Sequence, residues 1–186
     1  MRDADTSKVK GYAYLSYVEP LRARPATWEA IRASLPPGDR AFFDGDLISN
    51  HWYPRAHLHG LLDSVEGAAT SRVTAELRDL GAAAARHQIG AIYRAFLAFA
   101  SPALVFRRAE SVWSRQSTGG AFRVVEDGEQ RLVGELDDAS APRQIPTVMA
   151  GWSDEVIRLL RRAPNPTRVT TPAPGRWRFE VSWRDR

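Results

Sequence analysis

The sequence predicts an α+β fold in which a helical N-terminal part packs on an antiparallel sheet of about four strands. Apolar residues recur with helical spacing through much of residues 9–118, and the spacing changes to strict alternation after residue 119. The alternating segments form two hairpins with one helix between them, in the order hairpin-helix-hairpin. Because helices and strands are segregated along the chain, one sheet covered by helices on one face is the economical arrangement.

The chain is long enough for one domain with a substantial core. It has 186 residues, of which 44% are hydrophobic, and no cysteine, which excludes disulfides, thiolate metal ligands and cysteine nucleophiles. We expect residues 1–8 to be a flexible N-terminus and residues 9–186 to form a single ligand-binding-like domain. Its helical part covers residues 9–118, and the hairpin-helix-hairpin part covers residues 119–186.

The N-terminus and the apolar runs predict a cytoplasmic protein with no membrane contact. The first ten residues carry mixed charges instead of an apolar leader, and no apolar run reaches the roughly 20 residues that a membrane helix needs. The net charge is +4, but arginines and acids are interspersed, which is typical of a solvated surface. Nucleic-acid binding is therefore only a minor hypothesis.

The positions of prolines predict where the first helices begin. A short helix around Trp28 follows Pro25, and the segment at residues 42–46 is expected to be a turn or a helix edge. Pro54 suits the first turn of a helix. Beyond it, residues at i, i+3, i+4 and i+7 define an amphipathic helix: Leu58, Leu61, Leu62 and Val65.

Three of the four histidines fall in the segment 51–60 and raise the question of a metal site. Successive residues turn by about 100° in a helix, so His57 and His59 point to nearly opposite sides. His51 precedes the helix, and a helical metal pair needs i, i+4 spacing. We therefore predict no metal site, with His59 in solvent and the other two at the boundary of the apolar face.

A long helix is expected from Ser71 to Phe99, interrupted by Gly81 and Gly90. The glycines lower helix propensity but allow another element to approach closely. Apolar residues cover most sides of the second half, so it should be buried or line a cavity: Ile89, Ile92, Tyr93, Phe96, Leu97 and Phe99. His87 is interpreted as a structural histidine.

The next helix begins at Ser101-Pro102, a capping residue followed by proline at the first helical position. It ends at Gly119-Gly120 and is expected to turn four residues inward: Val105, Ala109, Val112 and Trp113. A hairpin then follows, with strands at 122–126 and 131–136.

The last third of the chain predicts a helix from Pro146 and a second hairpin. The helix carries Asp154 and Arg158 on its exposed side at i, i+4. The strands are expected at 167–171 and 176–183. In the final strand four apolar residues alternate with polar ones and should face the core: Trp177, Phe179, Val181 and Trp183.

These landmarks resemble a known superfamily across nearly the whole chain. Residues 9–11 with 28–31, Tyr53-Pro54 and Leu80-Gly81 are similar to haem nitric-oxide/oxygen-binding domains. Gly151-Trp152 within the hairpin-helix-hairpin part also resembles vinyl-reductase-like domains and the Golgi transport subunits that share their fold. Together with Ser101-Pro102 and Trp113, the pattern looks most like a myxobacterial paralogous family of unknown function.

The resemblance implies a small-molecule pocket between the long helices and the sheet. In the haem branch a proximal histidine ends the helix before the first hairpin, whereas this chain has Val112-Trp113 there and no histidine after His87. The haem branch also carries Tyr-x-Ser-x-Arg for the propionates. The segment 138–143 lacks the tyrosine and has its arginine one place out. We therefore expect no haem and no other cofactor.

Six residues are the candidate pocket residues: Trp113, Tyr93, Ile89, Phe96, Ser140 and Arg143. Trp113 either fills part of the pocket or simply packs the core. Ser140 and Arg143 either contact an anionic group, since arginine offers a planar fork of donors, or are ordinary loop residues.

Enzyme motifs are absent from the sequence, so no catalytic residues are assigned. There is no nucleophile elbow, phosphate-binding loop or zinc-protease motif. The leading hypothesis is a non-enzymatic sensory or signalling domain for an unknown, partly apolar small molecule. The alternative is a protein-interaction or homodimerisation scaffold whose pocket is filled.

Overall fold

Seven helices and two antiparallel sheets make up the residues that the computed structural model describes, 6–69, 71–89 and 100–185. The helices are α1 (Gly11–Arg22), α2 (Pro25–Ser34), α3 (Pro37–Asp44), α4 (Ala56–Ala68), α5 (Val73–Gln88), α6 (Pro102–Gln116) and α7 (Ile145–Leu159). The strands are β1 (Lys8–Lys10), β2 (Trp52–Pro54), β3 (Ala121–Asp127), β4 (Arg131–Asp137), β5 (Ala163–Ala173) and β6 (Arg176–Arg184). The predicted α+β class is confirmed.

The main sheet has the strand order β3-β4-β6-β5, with every neighbouring pair antiparallel. The two predicted hairpins, β3-β4 and β5-β6, therefore meet through β4 and β6. Phe179, Val181 and Trp183 of β6 are buried, and Trp177 packs at the edge of the core, so the predicted inward face is confirmed.

The N-terminal strand is fixed to two other elements. β1 pairs with β2, and Val9 also forms a bridge to Ser117 just after α6. The amide of Lys8 donates to the Thr118 hydroxyl at 2.7 Å. From residue 6 onward, regular structure begins at Lys8, one residue before the predicted boundary at residue 9.

The start of the amphipathic helix differs from the prediction. Pro54 is the last residue of β2, and helix α4 begins at Ala56 after Arg55. The pairing of β1 with β2 holds Pro54 in an extended conformation, which local sequence does not reveal. The predicted inward residues Leu58, Leu61, Leu62 and Val65 are all buried.

Two helices near the N-terminus were not predicted. Residues 37–44 form helix α3, and the segment 42–46 lies at its C-terminal end, which agrees with the helix edge expected there. Helix α1 was not predicted at all, although Tyr14 and Val18 on it are fully buried. Pro20 inside α1 weakens its local signal, because proline removes a backbone donor within a helix.

Helices α5 and α7 cross at two glycines. A methyl group on Gly81 would overlap the carbonyl of Val148, and one on Gly151 would overlap the backbone of Arg78. The close approach predicted for Gly81 is therefore present. Helix α5 ends at Gln88, and residues 90–99 of the predicted long helix lie outside the described residues.

The face of α7 that carries Asp154 is buried, contrary to the prediction of an exposed pair with Arg158. The Asp154 carboxylate accepts hydrogen bonds from Arg78 at 2.5 Å and from the Thr167 hydroxyl at 2.7 Å. Arg158 instead pairs with Glu155 at 3.1 Å. Packing of α7 against α5 and β5 thus determines the partner of Asp154, not the helical spacing.

Helix α6 begins as predicted. The Ser101 hydroxyl accepts from the Leu104 amide at 3.2 Å, and Pro102 occupies the first turn. Phe106, which was not among the predicted inward residues, is fully buried and packs edge-on against Trp152 at 5.8 Å between ring centroids. Val112 is partly exposed although it was predicted to face inward.

Candidate functional site: a small apolar cavity beside a buried ion pair

A cavity of about 110 Å³ lies between the helices and the main sheet. Helices α1, α6 and α7 supply most of its wall, and β3 contributes Phe122. The apolar lining includes Ala13, Leu58, Ala109, Val112, Ile145, Val148 and Met149. Such a wall favours apolar ligands, since a few polar groups then fix the orientation of the bound molecule.

Two tryptophans line the cavity and have their indole nitrogens engaged elsewhere. The Trp113 indole N–H donates to the carbonyl oxygen of Gly119 at 3.3 Å, and that of Trp152 donates to the Gln88 side chain at 2.9 Å. Gln88 in turn donates to the Ser16 hydroxyl at 3.1 Å. Both indoles therefore present apolar ring surface to the cavity.

A buried ion pair forms the polar end of the cavity wall. One guanidinium nitrogen of Arg55 lies 2.7 and 2.8 Å from the two carboxylate oxygens of Asp138. The exposed fractions of these side chains are only 3% and 2%. A charge removed from water in this way needs a close partner and further hydrogen bonds.

The further hydrogen bonds of this pair come from the ends of α6 and β4. Arg55 also donates to the Ser140 hydroxyl at 2.6 Å, to the Ser117 hydroxyl, and to the Gly119 carbonyl at 3.2 Å. Asp138 accepts from the Ser140 amide at 3.1 Å and from its hydroxyl at 2.9 Å. The pair is thus held by α4, the α6–β3 loop and the loop after β4.

Glycines enclose the ion pair. Gly120 has a positive φ of 70°, and a side chain there would overlap the Asp138 side chain. A methyl group on Gly119 would crowd the Arg55 guanidinium and the Ser140 hydroxyl. The sequence interpretation of this glycine pair as a helix terminus is therefore incomplete, because Gly119 also makes room for Arg55 and Gly120 for Asp138.

The Tyr17 side chain adds a polar group to the cavity wall. The Tyr17 hydroxyl forms no hydrogen bond within the described residues. Burial raises the pKa of Tyr17 to about 12, so the phenol is neutral at ordinary pH. It therefore offers one neutral donor and acceptor to a molecule in the cavity.

The structure separates the predicted pocket residues. Trp113 lines the cavity, Ser140 lies behind its wall on Arg55 and Asp138, and Ile89 packs against the core. The Arg143 side chain is 72% exposed and pairs with Glu66 at 2.6 Å, away from the cavity. The other two predicted residues, Tyr93 and Phe96, lie outside the described residues.

The histidines of segment 51–60 have separate partners. His57 lies 2.7 Å from the Asp39 carboxylate and stacks on Phe42. His59, predicted to be in solvent, is instead half-buried with its Nε2 3.0 Å from the Ser140 carbonyl. Within the described ranges, no cluster of three or more histidines and carboxylates is suitable for a metal ion.

Sequence reasoning did not identify Arg55 as a site residue. Arginine and aspartate are rarely buried, and these two are 83 positions apart in the chain. Asp138 directly follows β4, where successive residues point to opposite faces of a strand, so Asp137 and Asp138 are expected to face different sides. That holds here, since Asp137 is exposed and pairs with Arg176 at 2.7 Å.

Comparisons with solved structures identify the fold. An Fe(II) unliganded H-NOX protein mutant from K. algicida matches with a TM-score of 0.71 and 13% identity, over 95% of this chain and 97% of that chain. The fold is that of an H-NOX domain. The predicted resemblance to haem nitric-oxide/oxygen-binding domains is thereby confirmed at the level of the fold.

Further H-NOX structures agree. A mutant from T. tengcongensis matches with a TM-score of 0.70 and 9% identity over 95% of this chain and 98% of that chain. An oxygen-binding H-NOX domain related to soluble guanylate cyclases matches with a TM-score of 0.69 and 10% identity over 95% of both chains. No family model and no curated protein sequence matches the chain.

None of the described helices is long and apolar enough to cross a membrane.

The cavity does not have the size that haem requires. At about 110 Å³ it is well below the roughly 300–1,000 Å³ of sites for drug-sized ligands, and haem is larger than most of these. Trp113, at the position that the resemblance equates with the proximal histidine, donates its only polar hydrogen and has no lone pair for iron.

The other side chains of the cavity wall are also poor haem ligands. No histidine lines the cavity among the described residues. Met149 does line it, but methionine serves haem iron together with a histidine. Tyr17 would have to bind as phenolate, which its raised pKa disfavours. The described residues therefore do not fit haem.

Proposed function

We propose that the protein is a haem-free small-molecule-binding domain with a sensory or signalling role and no enzymatic activity of its own. The observation that carries this proposal is the apolar cavity walled by the Trp113 and Trp152 indoles, in the fold of an H-NOX domain. The ligand lies between α1, α6 and α7.

The size of the cavity limits the ligand. An engineered apolar cavity of about 150 Å³ in another protein stays dry and binds benzene or xenon. The present cavity, at about 110 Å³, accordingly suits a molecule of at most one small ring. Benzene and xenon are therefore suitable probes before the natural ligand is identified.

The test is the thermal stability of the protein with benzene. A ligand at ten times its Kd adds about 1.4 kcal/mol to the free energy of unfolding. For a chain of this size that raises the Tm by about 3–6 °C. We expect this rise in the wild-type protein, and an absent rise together with no xenon-induced change in the NMR spectrum contradicts the proposal.

Two matched variants on α6 test whether benzene binds inside the cavity. Ala109→Phe fills the cavity, because Ala109 lies in its wall, and it should abolish the benzene effect. Ser114→Phe adds the same ring on the exposed side of the same helix and should retain the effect. An equal response of both variants to benzene would place the binding outside the cavity.

A protein-interaction or homodimerisation scaffold is the second candidate. It is favoured by the exposed apolar residues Leu104 and Val112 on α6 and Val125 on β3. Native mass spectrometry separates the two functions: a retained small molecule supports sensing, and an empty dimer supports the scaffold.

Nucleic-acid binding is the least supported function. The arginines of the sheet's outer face pair with carboxylates: Arg131 with Glu180 at 2.9 Å, and Arg178 with Glu135 at 2.9 Å. The aromatic residues of β6 lie on the opposite face, whereas stacking of bases needs both on one accessible surface.

We also propose a cytoplasmic location and membership of the myxobacterial paralogous family.

A further inference from the structure

Two charged groups among the described residues line the cavity, and they neutralise each other. Arg55 and Asp138 both line the cavity, and each is almost fully buried. A buried guanidinium without an anion carries a penalty of several kcal/mol, so some carboxylate or equivalent has to face it. Here the chain supplies that carboxylate from the loop after β4.

Hydrogen bonds and two glycines hold Asp138 in this arrangement. Asp138 is held by the Ser140 amide and hydroxyl, and its own amide donates to the Gly175 carbonyl at 2.8 Å. Gly120 and Gly175 both have positive φ, and a side chain on either would overlap the segment 138–139. These contacts hold the loop with the Asp138 carboxylate against Arg55.

We propose that Asp138 acts as the built-in counter-ion of Arg55, so that the cavity binds uncharged, mainly apolar molecules and rejects carboxylates. This inference rests on the proposed ligand-binding function and names its ligand class. An incoming carboxylate would meet the Asp138 charge at short range in a medium of low dielectric, where repulsion is strong. A neutral ring meets the neutralised ion pair, the indole faces and uncharged polar groups such as the Tyr17 hydroxyl.

Two probes of the same size separate the charge from the shape. Benzamide is uncharged, and benzoate has the same planar skeleton with a carboxylate in place of the amide. We expect the wild-type protein to bind benzamide at least about tenfold more tightly than benzoate, a difference of about 1.4 kcal/mol. Equal affinity of the wild-type protein for the two probes would overturn the inference.

Removing the Asp138 charge should reverse this preference. Asp138→Asn keeps the shape of the side chain and one acceptor oxygen but leaves Arg55 without an anion, so its benzoate affinity should rise at least about tenfold. Asp137→Asn, the adjacent exposed residue, is the matched control and should bind both probes like the wild-type protein. An unchanged benzoate affinity in Asp138→Asn contradicts the inference.

A test with acetate is independent of ring binding. Asp138→Ala removes a group that has the shape of acetate, so it should lower the Tm, and acetate should recover at least half of the loss where chloride at equal ionic strength does not. Asp137→Ala should show no such recovery. If neither ring binds the wild-type protein, the proposed function fails, and the acetate recovery still decides whether Asp138 is the counter-ion.

Discussion

Gly81 on α5 lies directly against the backbone carbonyl of Val148 on α7, with no room for a methyl group between them. Gly151 makes the reciprocal contact with Arg78, so the two helices touch backbone to backbone at two points. This crossing fixes α7 against α5. It also positions Val148, Met149 and Trp152 in the cavity wall.

Gly81→Ala should therefore destabilise the fold. The added methyl overlaps main-chain atoms, which cannot rotate away, so we expect a loss of about 1–3 kcal/mol or more. Gly67→Ala on α4 is the control, because nothing lies within 4 Å of its position, and it should gain up to about 1 kcal/mol of helix propensity. Urea unfolding measures both, and a neutral Gly81→Ala would show that the crossing is not tight.

The two faces of β6 should differ in their sensitivity to substitution. Phe179 is 1% exposed in the core, and Phe179→Ala should cost about 3–5 kcal/mol. Arg178→Ala on the outer face should cost far less, because its ion pairs with Glu126 and Glu135 are open to solvent. Similar losses in chemical denaturation would mean that the face assignment is wrong.

The sequence prediction of this fold rested on the alternation of apolar and polar residues in the strands and on the positions of the glycines. The inward face of β6 followed from period-2 spacing, and the close approach at Gly81 followed from the missing side chain. Helix α1 escaped prediction because Pro20 interrupts its pattern. Asp154 was assigned to an exposed pair because helical spacing records only local neighbours, whereas its partners Arg78 and Thr167 come from other elements.

The candidate site was less predictable than the fold. Trp113 was identified because the resemblance marks its position, and it does line the cavity. Arg143 was chosen because its guanidinium could bind an anionic group. In the structure its side chain turns toward helix α4 and pairs with Glu66. Arg55 gave no signal, since a single arginine before a helix is ordinarily a surface residue.

Arg55→Met should destabilise the protein strongly. It leaves the Asp138 carboxylate buried without a cation, for which a loss of about 3–5 kcal/mol is expected. Arg143→Met removes an exposed partner of Glu66 and serves as the control, with a small effect. Thermal unfolding of both variants decides this, and comparable losses would contradict the central place of Arg55.

Tyr14 and Tyr17 predict a loss of stability in alkali. Burial raises the pKa of Tyr17 to about 12 and that of Tyr14 above its usual range, with Tyr14 donating to the Pro54 carbonyl at 2.6 Å. From pH 10 upward the unfolded chain binds fewer protons than the folded one. The free energy of unfolding should therefore be unaffected by these groups below pH 10 and fall by up to about 1.4 kcal/mol per pH unit for each tyrosine above it.

Tyr17→Phe isolates this effect. It removes a hydroxyl that has no hydrogen-bond partner within the described residues, so stability at pH 8 should change little while the decline between pH 10 and about 12 becomes shallower. Urea unfolding at several pH values measures the slope. A slope identical to that of the wild-type protein would exclude Tyr17 as a contributor.

The absorption spectrum of the purified protein tests the haem-free cavity most directly. The protein should be produced with added haem precursor and measured between 350 and 700 nm, with an H-NOX protein that binds haem as a positive control. Because Trp113 offers iron no lone pair and the cavity is only about 110 Å³, we expect no Soret band, and Trp113→His alone should not create one. A stoichiometric Soret band in the wild-type protein would contradict the account.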